Sequence, residues 1–275
     1  MLTEKTFDTG TVAINYAEGP RAGPLLVLLH GIGSRWQVFL TTMPVLTQRW
    51  HVVAVDLRGH GRSGRVPGRY GLMEYVEDVQ ALIRHLGDEP ALVIGHSLGA
   101  MISIGLASET PSLVRALVLE DPPLGAFDGR PFAVRPEYAR FVATRDMAAE
   151  GHTLDELARL LAEQMPGQDL VTVRTRAASI AQIDPEVFTM VVENRAADRY
   201  DLGDRLRRIA CPTLLLQGNP ALGGALSDEE ARWADSLLAR GILIQIPDVG
   251  HQIHAGPGTH PIRFEKLVTD FLETV

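Results

Sequence analysis

"LVIGHSLGAM", residues 92–101, sets a serine between two glycines at the point where an apolar run gives way to a helix-forming one. The five residues from Gly95 to Gly99 match the pattern G-x-S-x-G, which is typical of a nucleophile elbow when a strand precedes it and a helix follows. The pattern predicts that Ser97 is held in a strained turn with its hydroxyl raised above the sheet. Crowding in that turn explains why glycine stands two positions to either side.

Seven short, mainly apolar runs are the strand candidates of the chain. They lie at 12–18, 24–31, 51–59, 91–97, 116–122, 212–218 and 241–247. Continuous rather than alternating apolar runs are typical of strands covered on both faces. Helical patterns separate several of them, as at 72–87, where Gly87 ends the pattern. The fold class predicted is therefore α/β, with a mostly parallel central sheet, helices on both faces and ligands bound at the carboxyl ends of the strands.

The alternation of strands and helices breaks between Pro122 and about Arg208. Thr153, with Glu156 three residues later, predicts a capping box at the start of one helix there. Helices are expected at 136–150, 153–165, 168–182 and 185–197. We interpret 123–205 as a helical lid inserted into a core formed by 1–122 and 206–275, because it enters at the edge where ligands should bind. The alternative is a set of ordinary packing helices.

Composition excludes several classes of function. The chain has 275 residues, enough for one large domain, and a formal charge of -8 with scattered basic residues, which argues against a nucleic-acid partner. A single cysteine permits neither an intrachain disulfide nor a thiolate metal cage and fits a reducing compartment. Neither a signal-like start nor a long apolar window is present, so we expect no membrane span and a cytoplasmic location.

Ser97 needs a base within hydrogen-bond reach. His251, behind Gly250 in the loop "IPDVGHQIH" after the last strand, is the preferred candidate among nine histidines, and His254 is the alternative. Backbone N–H groups are also needed for the developing oxyanion. The turn "LLHGIGS" and the residue after the serine suggest those of Ile32 and Leu98, although the turn could be only a glycine turn.

Four segments together carry a family resemblance: "HGIG", "DLRGHGRSG" (56–64), "GHSLG" and "DVGH", in this order. The chain resembles the α/β-hydrolase fold family, in its branch of lidded esterases and lactonases, over essentially its whole length. The resemblance implies a hydrolase that uses no cofactor, acts on a small-molecule substrate and forms an acyl-enzyme on the serine. No metal site is expected, since His60 has no second ligand at paired spacing. The sequence is also compatible with a homodimer.

The triad acid is where the sequence departs from the family pattern. The family usually places it shortly after the strand that here reads "TLLLQG", but no carboxylate follows until Asp228, which belongs to the cap of the next helix. Some members take the acid from the end of the preceding strand, here "ALVLEDPP", which offers Glu120 and Asp121. Adjacent strand residues point to opposite faces, so only one of the two can face His251. We favour Asp121, and a carboxylate here can also lack any catalytic role.

The substrate is predicted only as a class. Aromatic residues of the lid suggest a small, apolar ester, lactone or thioester; they are Phe127, Phe132, Tyr138 and Phe141. The same fold and triad also support carbon–carbon bond hydrolysis and perhydrolysis. A ligand receptor that turns over slowly or not at all is the alternative outside enzyme chemistry.

Overall fold

The computed structural model describes residues 2–127, 130–196, 200–256 and 260–275. Its strands are β1 (Thr3–Asp8), β2 (Ala13–Glu18), β3 (Leu25–Leu29), β4 (His51–Val55), β5 (Ala91–His96), β6 (Val114–Glu120), β7 (Thr213–Gly218) and β8 (Gly241–Ile246). They form one sheet in the order β1-β2-β4-β3-β5-β6-β7-β8. Antiparallel pairing joins β1 to β2 and β2 to β4, and every other neighbouring pair is parallel. The mostly parallel α/β sheet is thus confirmed.

The helices flank the sheet on both sides. They are α1 (Met43–Leu46), α2 (Leu72–Leu86), α3 (Leu98–Glu109), α4 (Tyr138–Ala149), α5 (Leu154–Gln164), α6 (Leu170–Ile180), α7 (Glu186–Val192), α8 (Leu202–Arg208), α9 (Asp228–Leu237) and α10 (His260–Leu272). One apolar layer joins a face of the sheet to α2, α3, α8 and α9, and a second joins the other face to α1 and α10. Across the described residues, no helix is long and apolar enough to pass through a bilayer.

Burial on both faces explains the continuous apolar runs of the sequence. In β3, Val27 and Leu29 belong to the first apolar layer, whereas Leu26 and Leu28 belong to the second. Because the side chains on both faces of the strand are buried in an apolar layer, no position needs to be polar. The same burial fixes the register, because a slip of one residue would exchange the two layers.

Two expectations about the ends of elements were wrong. The run at 51–59 is a strand only as far as Val55, and residues 56–64 form a loop. The last helix expected in the insertion ends at Val192 instead of 197, and residue 197 lies outside the described residues. β1 was not expected at all, because it is an edge strand whose side chains are mostly exposed and it has no apolar run to reveal it.

Between β6 and β7 the chain forms α4 to α7, the four helices predicted there, and α8. The predicted capping box is confirmed: Glu156 N–H donates to Thr153 Oγ1 at 3.3 Å, and Thr153 N–H donates to Glu156 Oε2 at 2.8 Å. α5 and α6 share a small apolar cluster of their own, which includes Leu161 and Val173. The assignment of 123–205 as a lid stays a prediction.

Candidate active site

Ser97 occupies the tight turn between β5 and α3. Its backbone has φ 53° and ψ −115°, a left-handed conformation that costs a non-glycine residue about 1–3 kcal/mol. A Cβ at Gly99 would overlap the carbonyl oxygen of Leu29, and one at Gly95 would overlap that of Gly99. The turn therefore requires both glycines, as the sequence suggested. Its backbone is fixed to the next strand, since Ser97 N–H donates to Glu120 O at 3.0 Å.

His251 is bonded to Asp121. The Nδ1 of His251 lies 2.7 Å from Oδ2 of Asp121, which is fully buried, while the imidazole is 30% exposed. Two backbone groups also donate to this carboxylate, Gly218 N–H at 3.0 Å and Ala225 N–H at 2.7 Å. A carboxylate can only accept these bonds, so Nδ1 of His251 carries the proton and Nε2 is left with a lone pair. That is the tautomer which can take a proton from a serine hydroxyl.

The loop after β7 supports the acid without supplying it. Asn219 Oδ1 accepts from Ala221 N–H at 2.9 Å and so starts a tight turn at Pro220–Leu222. Gly218 and Ala225, which frame this turn, are the two backbone donors to the carboxylate of Asp121. Asp228 lies in the first turn of α9, where its Oδ1 accepts from Gln217 Nε2 at 2.7 Å. The structure thus brings Asp121, and not Asp228, to the base.

Glu120 points away from Asp121 and holds a different histidine. Its carboxylate accepts from His254 Nδ1 at 2.8 Å and from His254 N–H at 2.9 Å, and both side chains are fully buried. Strand alternation and the positive φ of Asp121, 45°, send the two neighbouring carboxylates to opposite sides. His254 does not line the cavity that contains Ser97 and His251. Glu120 and His254, two of the residues named from the sequence, are therefore brought together, but behind the site.

His96 completes the support of the loop that carries His251. Its Nε2 lies 3.0 Å from the His251 carbonyl oxygen, so this nitrogen donates and carries the proton. Burial holds the pKa of His96 well below its usual value, which keeps the ring neutral. Ligand atoms of His96, Glu120 and His254 lie within 4.8 Å of one another, close enough for a metal ion. We interpret them as a hydrogen-bond cluster, because the Glu120 carboxylate accepts from His254 Nδ1 and His254 N–H, and His96 Nε2 donates to His251 O.

Two buried histidines hold the turn after β3: His30, which belongs to the turn, and His60, which sequence reasoning did not connect with it. His60 accepts from Gly33 N–H at 3.2 Å and donates to Arg58 O at 2.9 Å, while His30 accepts from Leu57 N–H at 3.1 Å. Each ring needs one bare nitrogen for its bond, so each is neutral. Burial lowers the pKa of His30 to about 4 and that of His60 to about 3.

The glycine-rich loop 56–64 does not form the floor of the pocket. Within the described part of the chain, none of its residues lines the cavity of Ser97. It lies behind the turn after β3, where His60 holds Gly33 in place. Ile32 and Leu98, the two residues named as oxyanion donors, do line this cavity beside the serine.

A cavity of about 380 Å³ opens above Ser97 and His251. It is lined by aromatic rings, as expected, and also by charged side chains that sequence reasoning missed. The rings are Phe127, Phe132, Phe141 and Phe188, and the charged residues are Arg135, Arg140, Arg176, Glu137 and Glu230. Tyr138 is not among the lining residues. No motif marks the arginines, because the helical pattern does not tell which side of a helix between β6 and β7 faces the strand ends.

Similarity to known proteins extends over most of the chain. Residues 24–255 match the family model described as alpha/beta hydrolase fold. The 2-(acetamidomethylene)succinate hydrolase of Mesorhizobium japonicum is 40% identical over 276 residues, which cover 97% of this chain and 94% of that protein. The magnesium-chelatase 30 kDa subunit of Rhodobacter capsulatus is 34% identical over 248 residues, which cover 86% of this chain and 83% of that protein.

A crystal structure of E-2-(acetamidomethylene)succinate hydrolase superimposes with a TM-score of 0.78 and 25% identity, covering 99% of this chain and 100% of that one. The family model matches most of the chain, and the matched residues include the parallel strands of the sheet and the strand-to-helix turn at Ser97. The chain belongs to the alpha/beta hydrolase fold family.

Proposed function

We propose that this hydrolase cleaves small acyl compounds through an acyl-enzyme on Ser97. In this proposal His251 is the general base and acid, and Asp121 orients it. The Ile32 and Leu98 amides hold the oxyanion. The observation that carries the proposal is the 2.7 Å contact of His251 Nδ1 with buried Asp121, in a cavity that also exposes Ser97.

The chemistry follows from the tautomer of His251. Its Nε2 takes the proton of the Ser97 hydroxyl as Oγ attacks the acyl carbon, and the protonated ring then gives that proton to the leaving group. The bond between acyl carbon and leaving group breaks. Water then attacks the acyl-enzyme while His251 removes its proton, and Ser97 is released with its hydroxyl restored. Partial exposure of the His251 ring, 30%, leaves room for that water.

The class of substrate is a small ester, lactone, thioester or amide. A volume of about 380 Å³ suits a small ligand. The amide is added to the classes expected from the sequence, because the 40% identical relative is named for an acetamido derivative of succinate. Charged residues in the lining weaken the expectation of a purely apolar substrate.

The test is steady-state and burst kinetics on a panel of esters, lactones, thioesters and amides. We expect turnover past one equivalent in the wild type and its loss in Ser97→Ala, with the fold intact by circular dichroism. Ser236→Ala is the matched control, since this serine is exposed on α9, where its hydroxyl donates to Trp233 O. Undiminished turnover in Ser97→Ala would overturn the mechanism.

A binding protein is the second candidate, and the relationship to a magnesium-chelatase subunit is the observation that favours it. That relative is not named for hydrolysis. Release of a single equivalent of product with no further turnover, for every substrate of the panel, would indicate a receptor that keeps a reactive serine. Continued turnover would exclude it.

A further inference from the structure

Arg176 extends from lid helix α6 into the cavity above Ser97. Its Nη1 donates to Gly33 O at 3.1 Å, and the side chain is partly buried. Arg140, on α4, lines the same cavity. In the part of the chain that the structure describes, neither guanidinium forms an ion pair with an aspartate or a glutamate. Two cations therefore face one small cavity without a carboxylate partner.

Two acidic residues of the lining do not compensate these charges. Glu230 caps α9, where its Oε2 accepts from Ser227 N–H at 2.9 Å. Glu137 is exposed at the start of α4. Burial and the charge of Arg140 lower the pKa of Arg176 to about 10, so Arg176 is still protonated at neutral pH. Arg140 is exposed, whereas the charge of Arg176 is partly buried. Keeping an unpaired charge away from water is costly, and a protein normally satisfies it with a partner.

We propose that Arg176, assisted by Arg140, binds a carboxylate of the substrate. The guanidinium fork matches a carboxylate in two parallel hydrogen bonds, and Arg176 spends only one donor on Gly33. The inference rests on the proposed function, since the arginines share the cavity of the nucleophile. It narrows the substrate to short acyl compounds that carry an acid group.

The position of Arg176 also limits the length of that compound. Gly33 directly follows Ile32, the proposed oxyanion donor, and one residue spans at most about 3.6 Å. A guanidinium that donates to Gly33 O at 3.1 Å therefore lies within roughly 10 Å of the Ile32 amide, since two residue spans and one hydrogen bond separate them. A four-carbon diacid skeleton can bridge these two groups, whereas a long acyl chain would have to place its acid elsewhere.

The experiment compares substrates that differ only in the acid group. Monomethyl succinate is matched with methyl butyrate, and 3-acetoxypropanoate with propyl acetate, so that the acid is tried on the acyl side and on the leaving-group side. In at least one pair we expect kcat/KM to favour the acid. The ratio within that pair should fall roughly 10- to 100-fold in Arg176→Met, the worth of hydrogen bonds to a charged group. Arg176→Lys should restore part of it.

Arg174→Met is the matched control, because Arg174 lies on the same helix but is exposed and pairs with Asp155. It should leave the ratio at the wild-type value. The subsite is overturned if the wild type prefers neither acid. It is also overturned if Arg176→Met lowers both members of a pair equally, since Arg176 would then only support the turn at Gly33.

A binding measurement separates this proposal from the proposed function. Calorimetric titration of Ser97→Ala with succinate should show binding that weakens roughly 10- to 100-fold when Arg176→Met is added. Such binding without any Ser97-dependent turnover would contradict the acyl-enzyme mechanism and support the carboxylate subsite. Turnover without discrimination, together with no Arg176-dependent binding of succinate, would sink the subsite and keep the acyl-enzyme.

Discussion

Two acid–histidine pairs lie side by side at the end of β6, and they differ in access rather than in chemistry. Asp121 holds His251 at 2.7 Å, and its neighbour Glu120 holds His254 at 2.8 Å. The His251 ring is 30% exposed at the cavity, whereas the His254 ring is fully buried. A carboxylate beside an imidazole is therefore not by itself a catalytic device. The pair that can exchange a proton with a bound molecule is the one that meets the cavity.

Packing explains why the second pair cannot act as a base. The His254 ring lies 5.0 Å from the ring of Phe39 and 5.9 Å from that of Phe264, by centroids. Its Nε2 has no hydrogen-bond partner among the described residues. What the pair can do is anchor the backbone of the loop that carries His251, together with the bond from His96.

The largest effect should come from breaking the exposed pair. In Asp121→Asn the amide can present its NH₂ to Nδ1, which favours the wrong tautomer of His251. We expect kcat to fall by about 10³- to 10⁴-fold, comparable with loss of the acid in other triads. Steady-state kinetics with the best ester of the panel would measure it. A loss below tenfold would remove Asp121 from the mechanism.

Acid should lower the stability of the fold through the buried histidines His30 and His60. The folded-state pKa values of His30 and His60, about 4 and about 3, lie below the usual 6.5, so the unfolded chain binds protons first as the pH falls. Stability is then complete above pH 6.5 and is lost below it, by about 1.4 kcal/mol per pH unit for each histidine. From pH 6.5 to 5 we expect these two histidines to lower the free energy of unfolding by about 3 kcal/mol, because the slope is only half developed at pH 6.5.

Urea denaturation at pH 7, 6 and 5 would measure this loss. His85, an exposed histidine of α2, provides the control: His85→Gln should keep the slope with pH, whereas His60→Gln should reduce it. A free energy of unfolding that does not change over this range would contradict the neutral, bridging role of both rings.

The sequence was informative wherever a local pattern sufficed. Continuous apolar runs located the strands of the covered sheet, and glycines around Ser97 marked the turn that carries it. β1 escaped because an exposed edge strand needs no apolar run. The choice between Glu120 and Asp121 stayed open, because a one-residue change of direction depends on the positive φ of Asp121. Arg176 carries no motif, and its place above Ser97 arises only when the helices between β6 and β7 pack.

Breaking the buried pair should affect stability more than catalysis. Glu120→Gln removes the charge that His254 faces in a fully buried site, which costs about 3 kcal/mol in the free energy of unfolding. We expect kcat to fall less than tenfold, since Ser97, His251 and Asp121 remain. Urea denaturation and kinetics on the same preparation would measure both. A kcat loss as large as that of Asp121→Asn at unchanged stability would make the two pairs equivalent and end the comparison.

Asp228 should show the smallest effect, and it tests whether the comparison includes the right acids. Its Oδ1 accepts from Gln217 Nε2 at 2.7 Å. Its negative charge lies in the first turn of α9, where it interacts favourably with the helix dipole. Asp228→Asn should therefore lower the free energy of unfolding by about 0.5–1 kcal/mol and leave kcat within twofold. Kinetics in parallel with Asp121→Asn would measure it. If Asp228→Asn gave the large kcat loss and Asp121→Asn did not, the loop after β7 would supply the acid in the working enzyme, and the bonds of Asp121 to Gly218, Ala225 and His251 would be structural only.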